Sequence, residues 1–236
     1  EPYDTLIRYE YEIGKKKTNA LITFVDTAGI RRKAQVSGEL EKAGIDKSIQ
    51  SIEDSDIVLF VIDGTEPISS QDRQLGGLLE KRGKSVIILV NKWDLATESG
   101  DEHRNNVMKM VYSYFPHLDF APILFVSGKT GYRTHNIFPF LLRVFAARHT
   151  QVPEVALASF LKLAKRQKYP TKGRGSRLPD ILSMRQMDVA PPVFELMIKY
   201  RTSVNESYIN YLENRLREQF EFTGTPIVMY ISKMKR

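Results

Sequence analysis

The sequence predicts an α/β fold, a doubly wound, mostly parallel sheet, with a second, small α+β domain. In the first 150 residues, short and nearly continuous apolar runs alternate with polar stretches of helical length. Strands with this pattern are buried on both faces and belong to parallel sheets covered by helices. After residue 150 the order becomes helix, two strands, helix and strand, which is typical of a small α+β layer. We therefore predict domains at 1–150 and 151–236.

The individual elements follow from the same patterns. A hairpin is predicted over residues 5–26, with its exposed turn at the sequence GKKK and an antiparallel edge left on the sheet. Strands of the main sheet are predicted at 20–26, 56–63, 85–92 and 121–127, and helices at 39–54, 70–82, 103–115 and 135–149. The second domain is predicted to contain helices at 154–168 and 206–220 and strands at 179–189, 192–200 and 225–232.

Composition and charge narrow the class of protein. The chain has no Cys, which excludes a disulfide framework and a thiolate zinc site. It has no apolar stretch near the ~20 residues that a membrane span needs, so a soluble cytoplasmic protein is expected. Residues 1–150 are electrically neutral, whereas residues 151–236 carry the whole net charge of +7. A basic second domain suggests a phosphate-rich partner, and a solvated basic face remains the alternative.

A phosphate-sensing switch is indicated where the first apolar run ends, at Asp26-Thr27-Ala28-Gly29. A carboxylate at that position can hold Mg²⁺ through water. Glycine lets the adjoining amide swing toward a terminal phosphate and away from it. Such a switch works with a glycine-rich phosphate loop, G-x-x-x-x-G-K-[ST], and the 236 residues do not contain that motif.

A guanine pocket is predicted at the next strand ends. In the tetrapeptide Asn91-Lys92-Trp93-Asp94, the Asp carboxylate can accept hydrogen bonds from N1–H and the amino group of guanine, a donor pair that adenine lacks. The Asn can brace neighbouring loops, and the Lys stem can cover the base. The segment Ser127-Gly128-Lys129 is predicted to close the pocket with backbone N–H groups. Ligands of open α/β sheets bind beyond the carboxyl ends of the strands, so one shared site is expected. An ordinary polar loop is the alternative.

Four segments carry a resemblance to a known family. They are DTAGIRRK at 26–33, VIDGTEPISSQD at 61–72, NKWDL at 91–95 and ESYINYLENRLREQFEFTGTPI at 206–227. Together they resemble the Der (EngA) family of ribosome-assembly GTPases, in its second Era-like GTPase domain and its C-terminal KH-like domain. The resemblance implies a P-loop GTPase type of fold, truncated at its N-terminus, because the phosphate loop and first switch of that family lie upstream of a segment like EPYDT.

The resemblance also implies a function. The intact protein is expected to bind GTP and GDP with Mg²⁺ and to hydrolyse GTP in biogenesis of the large ribosomal subunit, whereas the chain as written is expected to bind GTP poorly. Asp26 would address Mg²⁺ through water, and Gly29 would sense the γ-phosphate. Ile30 stands where many Ras-type GTPases have a water-orienting Gln, so no catalytic side chain is assigned. Dependence on K⁺ follows from the resemblance alone.

The expected partners are the large ribosomal subunit and its RNA, with no membrane, and the resemblance implies contact between the GTPase and KH-like domains. Candidate phosphate contacts in the basic domain are Lys162, Lys165, Arg166, Lys168, Lys172, Arg174 and Arg177, with Tyr169 for base stacking. The G-x-x-G clamp of an RNA-binding KH domain is absent from the sequence. The alternative function is a non-hydrolysing, GTPase-like platform that docks on ribosomal RNA or protein.

Overall fold

A computed structural model of the chain describes residues 4–25, 49–96, 100–170 and 178–234. The chain divides into two compact units, Glu1–Ser55 and Asp56–Arg236. Among the described residues, no helix combines the length and the apolar character that a membrane span requires.

The first unit contains the predicted hairpin. Strand β1 (Asp4–Ile13) pairs with β2 (Lys16–Val25) in antiparallel register, and Gly14 takes a positive φ of 62° in the turn. The two strands form a sheet of their own. The expectation that residues 20–26 lie in the parallel sheet, buried on both faces, is therefore wrong. Side chains of β2 alternate between half-buried and exposed, because successive side chains of a strand point to opposite faces. The pair with β1 forms readily, since a short turn closes it at little entropic cost.

The second unit begins with a parallel sheet in the order β3 (Ile57–Asp63), β4 (Ser85–Asn91) and β5 (Ile123–Phe125). Its helices are α1 (Ser70–Lys81), α2 (Asp101–Tyr114) and α3 (Ile137–Arg148). Residues 86–90 of β4 are all buried, as their continuous apolar run predicts. The α/β class is confirmed, and each boundary lies within about three residues of its predicted position. Of the helix predicted at 39–54, residues 49–54 are helical and the others lie outside the described residues.

The remaining elements form the smaller α+β layer. They are α4 (Glu154–Gln167), β6 (Ile181–Asp188), β7 (Val193–Ile198), α5 (Glu206–Gln219) and β8 (Val228–Lys233). Strand β7 is central, antiparallel to β6 and parallel to β8. Tyr208 and Phe222 are fully buried in its core, with Tyr211 and Phe220 packed against them. These four aromatic residues serve the core of this layer.

Residues on either side of position 150 meet in a buried polar contact at the amino end of β4. The N–H of Val86 donates to the carbonyl of Gly224 at 2.8 Å, and the Ser85 hydroxyl donates to Thr225 Oγ1 at 3.1 Å. Arg148 donates from Nη1 to Ser85 Oγ at 3.2 Å and from Nη2 to the carbonyl of Ala190 at 2.7 Å. The two layers are thus joined through hydrogen bonds that are buried or partly buried. The domain boundary at residue 150 stays a prediction.

Candidate functional site

The candidate site lies at the carboxyl ends of β3, β4 and β5, where the sequence places polar residues. Asp63 and Asn91 are register partners at the ends of β3 and β4, and Ser127 follows β5 by two residues. Because neighbouring parallel strands end at one edge of the sheet, these residues are brought together. The switch residues Asp26, Thr27, Ala28, Gly29 and Ile30 lie outside the described residues.

Asn91 joins two of the predicted loops. Its side-chain Oδ1 accepts the N–H of Gly128 at 2.9 Å, and its main-chain carbonyl accepts the N–H of Gly64 at 2.8 Å. The bracing role predicted for this side chain is therefore present in the structure. One N–H of the Ser127–Lys129 segment, a group predicted to close the base pocket, is consequently used by Asn91.

Lys92 takes a left-handed backbone conformation, with φ of 63°, which is uncommon for a residue other than Gly. Its Nζ lies 2.5 Å from Oδ2 of Asp63. The other oxygen of Asp63 accepts from the N–H of Thr65 at 2.9 Å and from its hydroxyl at 2.7 Å. Burial acts to raise the pKa of Asp63, but the hydrogen bonds from Lys92 and Thr65 and the Lys92 charge outweigh it and lower that pKa to about 2.

Trp93 and Asp94 point in different directions. The indole of Trp93 is buried, with ring centroids 4.4 Å from Phe125 and 5.3 Å from His103. Its main-chain N–H donates to the carbonyl of Val126 at 3.1 Å. Asp94 is the second residue of the short 3-10 turn Trp93–Leu95, and its side chain is exposed. Trp93 thus anchors the turn in the core and leaves the Asp94 carboxylate facing solvent. Both residues belong to the tetrapeptide predicted to bind the ligand.

The loop after β5 is closed by its own hydrogen bonds. Ser127 is fully buried; its hydroxyl oxygen accepts the N–H of Thr130 at 3.1 Å, and its carbonyl accepts the N–H of Gly131 at 2.9 Å. Gly131 has φ of 75°, which Gly adopts without strain. Gly128 and Lys129 are exposed between these fixed points. Ser127 therefore shapes the loop, and its neighbours Gly128 and Lys129 are exposed to solvent.

The basic residues of the second layer separate into two kinds. Lys165 donates to the carbonyl of Ile181 at 2.9 Å, and the Lys168 ammonium lies 5.1 Å from the ring centre of Tyr211, so both contact the fold. Lys162, Arg166 and Tyr169 are exposed, Tyr169 over 76% of its surface. Lys172, Arg174 and Arg177 lie outside the described residues. A phosphate-rich partner would meet Lys162, Arg166 and Tyr169 on the described part of this surface.

No site role is predicted from the sequence for Asp63, Gly64 or Thr65. Their signal was present in the segment VIDGTEPISSQD, which contributed to the family resemblance without a role for any one residue. An Asp at a strand end followed by Gly and Thr also reads as an ordinary Asx turn. Only the structure shows that this turn contacts both Asn91 and Lys92.

Two family models match the chain. The first, "50S ribosome-binding GTPase", covers residues 1–92. The second, "KH-domain-like of EngA bacterial GTPase enzymes, C-terminal", covers residues 151–231. The first match ends within the parallel-sheet layer, and the second covers most of the smaller α+β layer.

Curated proteins named GTPase Der are similar along most of the chain. The relative from Brevibacillus brevis is 39% identical over 89% of this chain and 47% of its own length. That from Lachnospira eligens is 36% identical over 95% and 48%, and that from Chloroflexus aggregans 33% identical over 100% and 51%. The chain therefore spans about half the length of these relatives. A solved structure titled as a probable GTP-binding protein, engB, has a TM-score of 0.42 at 18% identity over 60% of this chain and 85% of its own.

Proposed function

We propose, on the premise that the chain belongs to the Der (EngA) family of GTPases, that it carries the guanine-selecting part of a GTPase together with a KH-like domain. The intact protein would hydrolyse GTP to GDP and phosphate and act in biogenesis of the large ribosomal subunit. The observation that carries this proposal is the hydrogen bond from Gly128 to Asn91. It joins the two predicted base-binding loops, with the exposed carboxylate of Asp94 beside them in the chain.

The donor and acceptor groups of the site fit guanine. A carboxylate accepts two hydrogen bonds at once, so the exposed Asp94 matches the paired N1–H and amino donors of guanine and offers adenine nothing equivalent. Trp93 supports the selection indirectly, because its buried ring fixes the turn from which Asp94 projects. Gly128 and Lys129 would flank the base from the other loop. Burying an acceptor against a ligand without its donors costs affinity, which accounts for discrimination against adenine nucleotides.

The phosphate side of the proposal rests on residues outside the described ranges. Asp26 would hold Mg²⁺ through water, and that ion would neutralise charge on the phosphates. Gly29 would contact the γ-phosphate. In the reaction, water adds to the γ-phosphorus and the bond to the β–γ bridging oxygen breaks, releasing GDP, phosphate and a proton. Ile30 has no group that could orient this water, so we expect slow hydrolysis and a contribution from K⁺.

The proposed partner is the RNA of the large ribosomal subunit in the cytoplasm. Lys162 and Arg166 offer exposed cations one helical turn apart on α4, and the exposed ring of Tyr169 follows that helix. Cations with an adjacent aromatic ring fit a nucleic-acid backbone and an unstacked base. The neighbouring Lys165 is already bound to the carbonyl of Ile181, so we assign it to the fold.

The test is nucleotide binding by the chain expressed with the residues that precede Glu1 in its gene. Fluorescent GDP and ADP are titrated against the wild type, an Asp94→Asn variant and an Asp180→Asn control, whose carboxyl group is exposed in the second layer. We expect GDP to bind far more tightly than ADP, and Asp94→Asn to weaken GDP binding by at least about a hundredfold, since a charged, paired acceptor is lost. The same variant should gain affinity for xanthosine diphosphate. Equal binding of GDP and ADP by the wild type would contradict the proposal.

A further inference from the structure

The turn Asp63-Gly64-Thr65 contacts the predicted base-binding residues at two points. Gly64 donates its N–H to the carbonyl of Asn91 at 2.8 Å, and Asp63 Oδ2 lies 2.5 Å from Lys92 Nζ. A Cβ placed on Gly64 would lie 2.8 Å from that same carbonyl oxygen, so glycine is what allows the turn to come this close. The turn therefore packs directly against the carboxyl end of β4.

The Asp63 carboxylate has hydrogen-bond partners other than Lys92. Its Oδ1 accepts both the N–H and the hydroxyl of Thr65, which leaves Oδ2 directed at the ammonium group. The Asp63 side chain is 15% exposed and that of Lys92 51%. A partly shielded carboxylate attracts a cation more strongly than one in bulk water. The long, half-exposed lysine is thus paired with a short side chain that two further hydrogen bonds orient.

Fixing Lys92 has a consequence for binding. A lysine side chain is flexible and loses rotational freedom whenever it is ordered over a ligand. If an ion pair has already ordered the lysine side chain, ligand binding does not incur that entropy loss, and the affinity is higher. We propose that Asp63 is a positioning residue of the guanine pocket, which acts by holding Lys92 and does not itself touch the nucleotide. The inference rests on the proposed function, since Lys92 has a base to cover only if the chain binds guanine nucleotides.

The test compares two matched substitutions and their combination. Asp63→Asn removes the charge but keeps an acceptor for Thr65, so the turn is retained. Lys92→Met keeps the length of the stem and removes the ammonium group, and neither residue is β-branched, so the left-handed backbone at position 92 is tolerated alike. In the chain with its preceding residues, each single variant should raise the Kd for fluorescent GDP about three- to fivefold. The double variant should be no weaker than the weaker single variant.

The control is Glu221→Gln, which removes a carboxylate that pairs with Arg143 at 3.0 Å and should leave the Kd unchanged. A second readout needs no nucleotide. Acetylation of the Lys92 amine in nucleotide-free protein, followed by mass spectrometry, should be faster in Asp63→Asn than in the wild type or the control. A merely structural role of Asp63 would not produce this selective change at Lys92.

The outcomes distinguish a failure of the proposed function from a failure of the role proposed for Asp63. A wild type that fails to bind GDP overturns the proposed function and this inference with it. A wild type that binds GDP, with Asp63→Asn binding equally well, overturns this inference alone. Additive losses in the double variant show that Asp63 acts by a route other than Lys92 and also overturn it. An acetylation rate at Lys92 that is unchanged by Asp63→Asn does the same.

Discussion

The two ends of β4 are both held by hydrogen bonds, yet they differ in burial and in what the bonds can do. At the amino end, Ser85 is fully buried between Thr225 and the guanidinium of Arg148. At the carboxyl end, Asn91 is half-buried and bonded to the exposed Gly128. A buried polar group that loses its partner pays its full desolvation cost, whereas an exposed one can turn to water or a ligand. One strand therefore provides stability at its amino end and candidate ligand contacts at its carboxyl end.

This difference has a direct consequence for substitutions. Changes at the amino end should lower the free energy of unfolding, because they disturb a junction that joins the two layers. Changes at the carboxyl end should act chiefly on ligand binding, because the groups there are partly solvated already. The expected effect on stability therefore decreases from the buried junction to the ligand end of the strand.

The largest effect is expected from Gly224→Ala, at the buried junction. Gly224 has φ of 72°, and a Cβ there would overlap Cγ2 of the buried Val144. The left-handed backbone and the overpacking together should destabilise the protein by about 2–4 kcal/mol. Urea unfolding followed by circular dichroism measures this change.

The matched control is Gly131→Ala. Gly131 has a similar φ of 75°, but a Cβ added to it would have no other atom within 4 Å, so only the backbone cost of about 1 kcal/mol should appear. If the two variants are equally unstable, the overlap with Val144 adds no cost, which would mean that the side chains at the junction shift to accommodate the added Cβ.

The next largest effect is expected from Arg148→Met. Burial lowers the pKa of Arg148, with the charge of Asp56 acting in the opposite direction, and its guanidinium bonds both Ser85 and the carbonyl of Ala190. Methionine fills much of the same space but leaves those two acceptors without this donor. We expect a loss of about 1–3 kcal/mol in the free energy of unfolding, which the same urea titration measures.

Arg143→Met is the surface counterpart. Arg143 pairs with Glu221 where both side chains are about half exposed, and such pairs contribute at most about 1 kcal/mol. A loss in Arg143→Met as large as that in Arg148→Met would show that burial does not distinguish the two arginines, and would contradict the contrast between buried and solvated contacts.

How much the sequence predicts differs between the same two ends. The run SVIILV predicts β4 and its burial because five consecutive apolar residues are typical of a strand covered on both faces. The meeting of Asn91 with Gly128 follows from the rule that parallel strands end at one edge. The amino-end junction could not be predicted, because Ser85, Arg148 and Thr225 are far apart in sequence and each is an ordinary residue for an element end.

The misplacement of strand β2 has a local physical cause. The hairpin strand β2 is apolar enough for a central strand, but its short turn pairs it with β1 in a separate sheet. Trp93 lies in a tetrapeptide that predicts a ligand site, and its ring packs against Phe125 and His103; its part in the site stays a prediction. For Trp93 the sequence pattern gives the chemistry of the residue, whereas the aromatic side chains that pack against it come from other elements of the chain.

The smallest effect concerns the pH dependence of the carboxyl end. The folded pKa of Asp63 is about 2, below its ordinary value of 3.8, so its interactions stabilise the protein fully above about pH 4 and are lost as pH falls toward 2. The free energy of unfolding of the wild type should exceed that of Asp63→Asn by at most about 1 kcal/mol at pH 5. Urea unfolding at pH 4 and at pH 3 should show a smaller difference. The stability of Lys92→Met should depend on pH more than that of Asp63→Asn but less than that of the wild type, because Thr65 still donates to Asp63. A difference between wild type and Asp63→Asn that stays constant from pH 5 to pH 3 would mean that Lys92 does not hold the carboxylate in solution.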